Sequence, residues 1–599
     1  MSEGILRDEV RIAAPPALLT RRRILFFTLV GLSIFALVWL AAVALSPGGF
    51  GSVDFTLAVL FAVTLPWHVI GFWNATIGLL IMRFARDPVA AVTPAAARVR
   101  GDEPITASTA ILMCLRNEPP ERAVRHLAPL VEGLAATGAG GRFHVYVLSD
   151  SDQPALAAEE EARFTALASR LRDRIALTYR RRAVNTGFKA GNIRDFCERW
   201  GAGHDFAVVL DADSLMTAEA VLKLVRIMQA DPRMGILQSL VIGLPSTSAF
   251  ARLFQFGMRL SMRSYTIGSA WWQADCGPYW GHNGIIRLAP FMAHCDLPLL
   301  PEDALVGGHV LSHDQIEAVL MRRAGYEVRV LAEEGASFEQ NPPTLLEFIR
   351  RDLRWCQGNM QYWHFVRMAG LEPVSRYQLG FAILMFLGSP AWMGLLALGT
   401  IAVAWAGSPA AFIRPDAGIA VLALVLVLWF APYIATAIDV LARAKLRHAF
   451  GGGIRFLASL AANVIFVLLL APIMWFSHTA FLVRLLLGRS IGWRAQARDD
   501  HAVPFALALR QLWPQTLLGL GTISVLGLTV PAAIPYALFI AGGPLLSIPL
   551  AVITASPAVG RALVRIGLGR LPEETAPPAE VTALALPAIE MAAAAARSA

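Results

Sequence analysis

The chain has 599 residues, of which 56% are hydrophobic and only 16% charged. That balance excludes an ordinary soluble protein and, at this length, a single core; it is the balance of a membrane protein. The formal charge of +8 rests almost wholly on arginine, since only Lys189, Lys223 and Lys445 are lysines, and in so apolar a chain a positive excess marks cytoplasmic loops and not a nucleic-acid surface.

Residues 1–20 are polar and irregular. Arg21-Arg22-Arg23 then precede an apolar run from about Ile24 to Leu45. The run is long enough to span a bilayer and lacks a small-residue cleavage site, so it reads as an anchor with a cytoplasmic N-terminus. A second span, Phe55 to Met82, returns the chain at Arg83 and Arg86; residues 21–86 thus form a two-helix unit. Cysteines 114, 197, 276, 295 and 356 show no paired spacing, which suits a reducing compartment.

Residues 87–343 change character. Charge returns, and the candidate strands Ala110–Arg116, Phe143–Leu148, Ile175–Tyr179, Phe206–Leu210 and Gly235–Val241 alternate with helical patterns. This predicts an α/β domain, Rossmann-like, with a mostly parallel sheet. Ligands of such sheets bind beyond the carboxyl ends of the strands. There the strand Phe206–Leu210 delivers Asp211-Ala212-Asp213, two hard carboxylates suited to a divalent cation. The alternative is a helix cap, with Asp213 or Ser214 capping a helix that starts near Ala218. Asp150 follows the strand Phe143–Leu148 in the same way. Between them Gly187-Phe188-Lys189-Ala190-Gly191-Asn192 places a lysine at a helix start, where arginine is the habit of the chain.

Ser312-His313-Asp314 opens a further helix that ends in Arg323-Ala324-Gly325-Tyr326. Residues 344–377 hold an arginine- and aromatic-rich amphipathic helix, Thr344–Met368, suited to the membrane surface and carrying Arg351-Asp352-Leu353-Arg354-Trp355. Residues 378–560 are apolar again. Spans are expected near Leu379–Ala406, Gly418–Leu441, Phe456–Phe476, Leu512–Ile534 and Tyr536–Ser556, making seven in all. An odd number conflicts with Arg484, Arg489, Arg494 and Arg498 and with Arg561, Arg565 and Arg570, which belong in the cytoplasm, so an even number is favoured. Residues Ile454–Leu487, interrupted by Pro472, fit either a short hairpin or one span with an interfacial return. The tail, 561–599, is expected to be cytoplasmic and, beyond Leu571, disordered.

These ordered motifs resemble the processive family 2 glycosyltransferases, the group of cellulose and hyaluronan synthases. In detail the chain is most similar to the glucan biosynthesis glucosyltransferase H family. Cys114-Leu115-Arg116-Asn117-Glu118, Leu148-Ser149-Asp150-Ser151, Leu311-Ser312-His313-Asp314 and Asp352-Leu353-Arg354-Trp355-Cys356-Gln357-Gly358-Asn359 carry the resemblance, which covers roughly residues 20–560. Five motifs in order are far more specific than any one.

The resemblance implies a glycosyltransferase-A domain inserted in a multi-pass bacterial inner-membrane protein, with the catalytic domain cytoplasmic. Asp150 would contact the uracil or ribose of UDP-glucose. Asp211 and Asp213 would hold Mg²⁺ or Mn²⁺ on the diphosphate, with Lys189 and Arg354 as further cations. Asp314 would be the general base, in preference to Glu302-Asp303, which reads as a loop. Trp355 would stack on the acceptor sugar, or else anchor its helix in the lipid interface. Gly277, His282 and Asn283 would line the pocket from the loop Cys276–Gly284, unless that loop is simply packed. Arg351 stands where the family has glutamine, and Ser312-His313 replaces Thr-Glu. Neither the gating-loop motif of cellulose synthases, sought around residues 442–455, nor a second-messenger domain is found.

The expected function is an inverting transfer from UDP-glucose that builds, and extrudes, the β-1,2-glucan backbone of osmoregulated periplasmic glucans. The partners are the growing glucan, the lipid bilayer and, by family resemblance, acyl carrier protein; nucleic acid is not among them. Other readings are a synthase of another β-linked polymer, such as cellulose or a hyaluronan-like chain, and an inactive transport or scaffold protein.

Overall fold

A computed structural model describes residues 16–302, 306–492 and 497–584. Two long apolar helices, α1 (Pro16–Ala44) and α2 (Ser52–Phe84), come first and pack on each other. The α/β domain follows. Its strands are β1 (Thr109–Leu115), β2 (Phe143–Ser149), β3 (Ala176–Arg181), β4 (Phe206–Asp211), β5 (Leu215–Met216), β6 (Met234–Ser239), β7 (Ile242–Gly243), β8 (Gly284–Arg287), β9 (Glu327–Leu331) and β10 (Ser337–Glu339).

Seven of these form one sheet in the order β3-β2-β1-β4-β8-β6-β9, and β5, β10 and β7 form a second, smaller one. The first four strands of the large sheet are parallel, and β8 runs antiparallel between β4 and β6. The predicted mostly parallel sheet is therefore present. Strand β1 consists entirely of uncharged residues and is buried almost throughout, as a strand covered by helices on both faces must be. In register, Cys114 of β1 lies between Leu148 of β2 and Asp211 of β4, so three carboxyl ends meet at one edge.

Helices fill the connections. Those that position the site are α3 (Phe188–Trp200), α4 (Ala218–Ala230), α5 (Ala249–Gln273) and α6 (Asp314–Arg323). The amphipathic segment is a shorter helix than expected, α7 (Leu345–Met360). Thr344 starts it by accepting from the Glu347 N–H at 3.3 Å.

Beyond it run α8 (Pro373–Ala406), α9 (Pro415–Ala442), α10 (Gly453–Leu486), α11 (Phe505–Thr529), α12 (Ile534–Leu545), α13 (Ser547–Thr554) and α14 (Pro557–Ile566). Among the described residues five helices are long and apolar enough to cross a membrane: α1, α2, α8, α9 and α10. A bent pair, Pro531–Leu545 with Ser547–Thr554 at 54°, makes up to six. By length and composition, five or six helices thus stand against the seven apolar runs of the sequence. The expected span Leu512–Ile534 falls mainly in α11, whose Arg510, Gln511 and Gln515 dilute its apolar run.

The segment expected to be a hairpin or one span is one unbroken helix, α10, with Pro472 inside it. Both of its ends are tied to neighbouring segments. Near its start, Ser459 accepts from the Gly569 N–H at 2.9 Å, and Asn463 donates to the Leu253 carbonyl of α5 at 2.7 Å. Just past its end, the Ile491 N–H donates to Gln357 of α7 at 2.7 Å.

The expectation of a disordered tail beyond Leu571 is corrected as far as residue 584. Glu574 and Glu573 pair with the buried Arg252 and Arg259 of α5 at 2.9 and 3.0 Å. Glu580 accepts from the Ala218 N–H at 3.0 Å, and Val581 and Leu584 pack beside Leu215, Ile242 and Phe338. A composition rich in Ala, Pro and Glu concealed these partners, which only the folded domain supplies.

Candidate active site

A cavity of about 770 Å³ opens at the carboxyl edge of β1, β2 and β4. Asp150, Lys189, Asp211, Asp213, Arg354 and Trp355 all line it. Sequence positions from 150 to 355 thus converge, as the motifs require.

Asp150 is buried and receives a two-pronged hydrogen bond from Arg182, at 2.7 and 2.8 Å. This fixes the carboxylate at the rim. Lys189 stands at the start of α3 after two left-handed residues, Gly187 and Phe188. Its ammonium donates to Asp211 and to the Gly281 carbonyl, the latter at 2.8 Å. Burial pushes the Asp211 carboxyl up, but Lys189, with His282 and Arg498 beyond it, holds it down at about 2.

Asp213 accepts from Arg498, a residue of the segment that follows α10. It does not cap the next helix. Thr217 does, accepting from the Ala220 N–H at 3.1 Å, while the Ser214 hydroxyl accepts from the Asp211 N–H at 3.0 Å. The capping alternative for Asp213 is therefore set aside, and its side chain is turned into the cavity.

Asp314 is the first residue of α6, and its neighbours Ser312 and His313 line the cavity. A Cβ on Gly281 would come within 3.1 Å of the Asp314 Cβ, so one left-handed glycine lets Asp314 and the Lys189 ammonium share a short loop. His313 lies 2.9 Å from Glu317, and this partner outweighs burial and raises the imidazole pKa. Glu302 also lines the cavity; Asp303 lies outside the described residues.

Three expected pocket residues do other work. The Gly277 N–H donates to the Val328 carbonyl at 2.6 Å, and a Cβ there would meet that oxygen at 2.8 Å, so the glycine permits close packing on β9. Asn283 is fully buried and donates to Ser337 and to the Phe338 carbonyl at 2.9 and 3.0 Å, joining the two sheets. Arg351 is buried against Phe348 and lies 4.6 Å from the Trp355 ring, so it braces that tryptophan from behind. His282 stands between, 3.5 Å from the Ser214 hydroxyl and 3.6 Å from Glu339.

Arg354 reaches the cavity with its Nε unpartnered. Two further groups escaped the sequence reading. Arg498 had signified only a basic loop, and Glu118 had been one letter of a motif. Burial pushes the Glu118 carboxyl up to about 7, with Arg498 opposing and Asp213 and Asp211 reinforcing the rise.

The donor set fits a hard divalent cation. Asp211 and Asp213 supply carboxylate oxygens, Lys189 and Arg498 already neutralise them, and no group of three His, Cys, Asp or Glu forms a closed cage among the described residues. Magnesium-type sites commonly use one or two carboxylates and complete the shell with substrate phosphates.

Helix α7 separates this cavity from a second one of about 390 Å³ among the membrane helices. Trp355 faces the first cavity and Phe348 the second. The second is walled by Trp67, His68, Trp392, Trp429, Trp475 and His478.

The family model for glycosyl transferase family group 2 matches residues 206–495. A glucans biosynthesis glucosyltransferase H of Pseudomonas paraeruginosa is 36% identical over 547 residues, covering 89% of this chain and 63% of the relative. One from Vibrio cholerae is 33% identical over 609 residues, covering 97% and 81%. The chain thus spans a little under two thirds of the Pseudomonas relative it matches. Among solved structures, a mannosyltransferase from Pyrobaculum calidifontis in complex with GDP-Man and Mn²⁺ aligns at 18% identity and TM-score 0.36, over 61% of this chain and 98% of that one. With four fifths of the Vibrio relative matched above 30% identity, the chain belongs to the glucans biosynthesis glucosyltransferase H family.

Proposed function

We propose that this protein is an inverting glucosyltransferase that takes glucose from UDP-glucose and extends a β-glucan, the β-1,2-linked backbone of osmoregulated periplasmic glucans. The observation that carries the reading is the single cavity on which Asp150, Lys189, Asp211, Asp213 and Arg354 converge, with Asp314 beside it. Asp150, held by Arg182, receives the nucleoside end. Asp211 and Asp213 would hold Mg²⁺ or Mn²⁺, which when bound supplies electrostatic stabilisation of the diphosphate. Lys189, Arg354 and Arg498 add fixed positive charge around the same oxygens. Such charge acts on the leaving group, where negative charge grows as the sugar–phosphate bond breaks.

Asp314 takes the proton of the acceptor hydroxyl as its oxygen attacks the anomeric carbon. The bond to the diphosphate oxygen breaks on the opposite face, so an α-linked donor gives a β-linked product. Trp355, braced by Arg351, offers a flat apolar face to the acceptor sugar. The cavity behind α7, rich in tryptophan, offers more such faces and is the exit path for the chain. In this reading the catalytic side faces the cytoplasm of a bacterial inner membrane, which the basic residues near Arg22, Arg443 and Arg489 support. Acyl carrier protein is the protein partner to test by co-purification.

The test is incorporation from labelled UDP-sugars by the purified protein in lipid, followed by linkage analysis. Glucose in β-1,2 linkage is expected, and an Asp314→Asn variant should lose roughly 10²- to 10⁴-fold in turnover. Incorporation from UDP-N-acetylglucosamine but not UDP-glucose would overturn the donor assignment. Full turnover by Asp314→Asn would overturn the base.

A further inference from the structure

A chain of three polar side chains crosses from the catalytic helix into the membrane helices. Asp352 lies on α7 between Arg351 and Arg354. Its carboxylate accepts from Nε2 of His478, on α10. With that nitrogen donating, Nδ1 of the neutral imidazole is an acceptor, and the Ser389 hydroxyl of α8 lies 3.0 Å from it. His478 is 8% exposed and Ser389 2%. Phe386 stands edge-on to the imidazole at 5.0 Å, and both His478 and Ser389 wall the tryptophan-rich cavity.

We propose that His478 is a positioning residue. It ties α7, and with it Arg354 and Trp355, to the two membrane helices that wall the second cavity. The geometry supports this in two ways. Leaving Asp352 or His478 without the other inside this apolar layer would strand a polar group, so the link is favoured over separation. The link also enters α7 two residues before Arg354, so a shift at His478 displaces the guanidinium and the tryptophan together. Small misplacements of groups around a reacting centre are expensive, on the order of 10²-fold for 1 Å. The anchoring rests on the contacts alone; its effect on rate rests on the glucosyltransferase reading above.

The experiment uses the full chain in lipid nanodiscs, as wild type, His478→Ala, His478→Gln and Asp352→Asn/His478→Ala. Amide hydrogen exchange across residues 345–360 reports the anchor without reference to the reaction. It should quicken at least ~10-fold in His478→Ala, with β1 and β4 unchanged, and return toward wild type in His478→Gln, whose amide can still donate to Asp352. In turnover from UDP-glucose, His478→Ala should lower kcat roughly 10- to 100-fold with KM for the donor within about twofold, the signature of lost transition-state positioning. The double variant should be no worse than His478→Ala, because the two residues act as one link. Unchanged exchange in α7, or a loss in His478→Ala that His478→Gln does not relieve, would overturn the proposal. Wild-type protein that incorporates no glucose would instead overturn the function reading, while the exchange result would still decide the anchor.

Discussion

Arg498 occupies the carboxylate that the proposed cation needs, and replacing it by glutamine measures that competition. The two side chains of the Asp213–Arg498 pair are only 9% and 15% exposed, so solvent screens them weakly. A hydrogen bond to a charged group contributes about 1.5–3 kcal/mol net. A cation binding at Asp213 must displace that bond, whereas in Arg498→Gln it displaces a weaker, neutral one. At about 1.4 kcal/mol per tenfold, the variant should bind Mn²⁺ roughly 10- to 100-fold more tightly in the absence of nucleotide. Free Mn²⁺ is read by electron paramagnetic resonance with the protein in nanodiscs. Adding Asp213→Asn to Arg498→Gln should return the affinity to wild type or below. Equal or weaker binding by Arg498→Gln alone would refute the reasoning, since Arg498 would then not compete for the cation's place.

Removing the Lys189 ammonium leaves the Asp211 carboxylate without its nearest cation. After screening of this half-exposed group, Lys189→Ala should lose about 1–2 kcal/mol of stability at neutral pH, checked by thermal unfolding. Because the Asp211 pKa is depressed to about 2, the wild-type contribution is present above the ordinary carboxyl pKa of 3.8 and is lost only as pH falls through 2. His313 runs the other way. Its pKa is raised by Glu317, so its contribution is complete below 6.5 and is lost as pH rises through the raised value. His313→Gln should therefore unfold at lower temperature than wild type at pH 6, with the gap narrowing as pH rises; a gap that widens would contradict the pairing.

The strand-end carboxylates were legible because a buried parallel strand leaves a plain signature, an apolar run that stops at charge. Asp150 and Asp211 could be assigned to one edge on that ground alone. Asn283 could not be separated from a pocket residue, because a polar side chain that stitches two sheets and one that meets a ligand look alike in sequence. Arg351 and Arg354 show the same limit: three residues apart, they share a helix face, yet only Arg354 lines the cavity while Arg351 packs on the Trp355 ring. Arg498 was hidden for a different reason. Its contact with Asp213 joins residues 285 positions apart, with α8, α9 and α10 between them, and nothing local in a basic loop records such closure. The tail was misread because Glu573 and Glu574 look like solvated charge until buried Arg252 and Arg259 are placed opposite them.

The pairing of Asp213 with Arg498 also sets an order of events during synthesis. The α/β domain leaves the ribosome before α8 to α10 exist, so its sheet and both aspartates can be in place while the guanidinium and the Glu580 cap of α4 are still unmade. At ~5–20 residues per second, the interval is on the order of ten seconds. During it the nascent enzyme has a nucleotide edge but no closing wall, and the wall arrives only with helices that must first insert. Completion of the cavity is thereby tied to the helices that follow the α/β domain, and a chain that fails to insert them has no finished site with which to spend a nucleotide sugar.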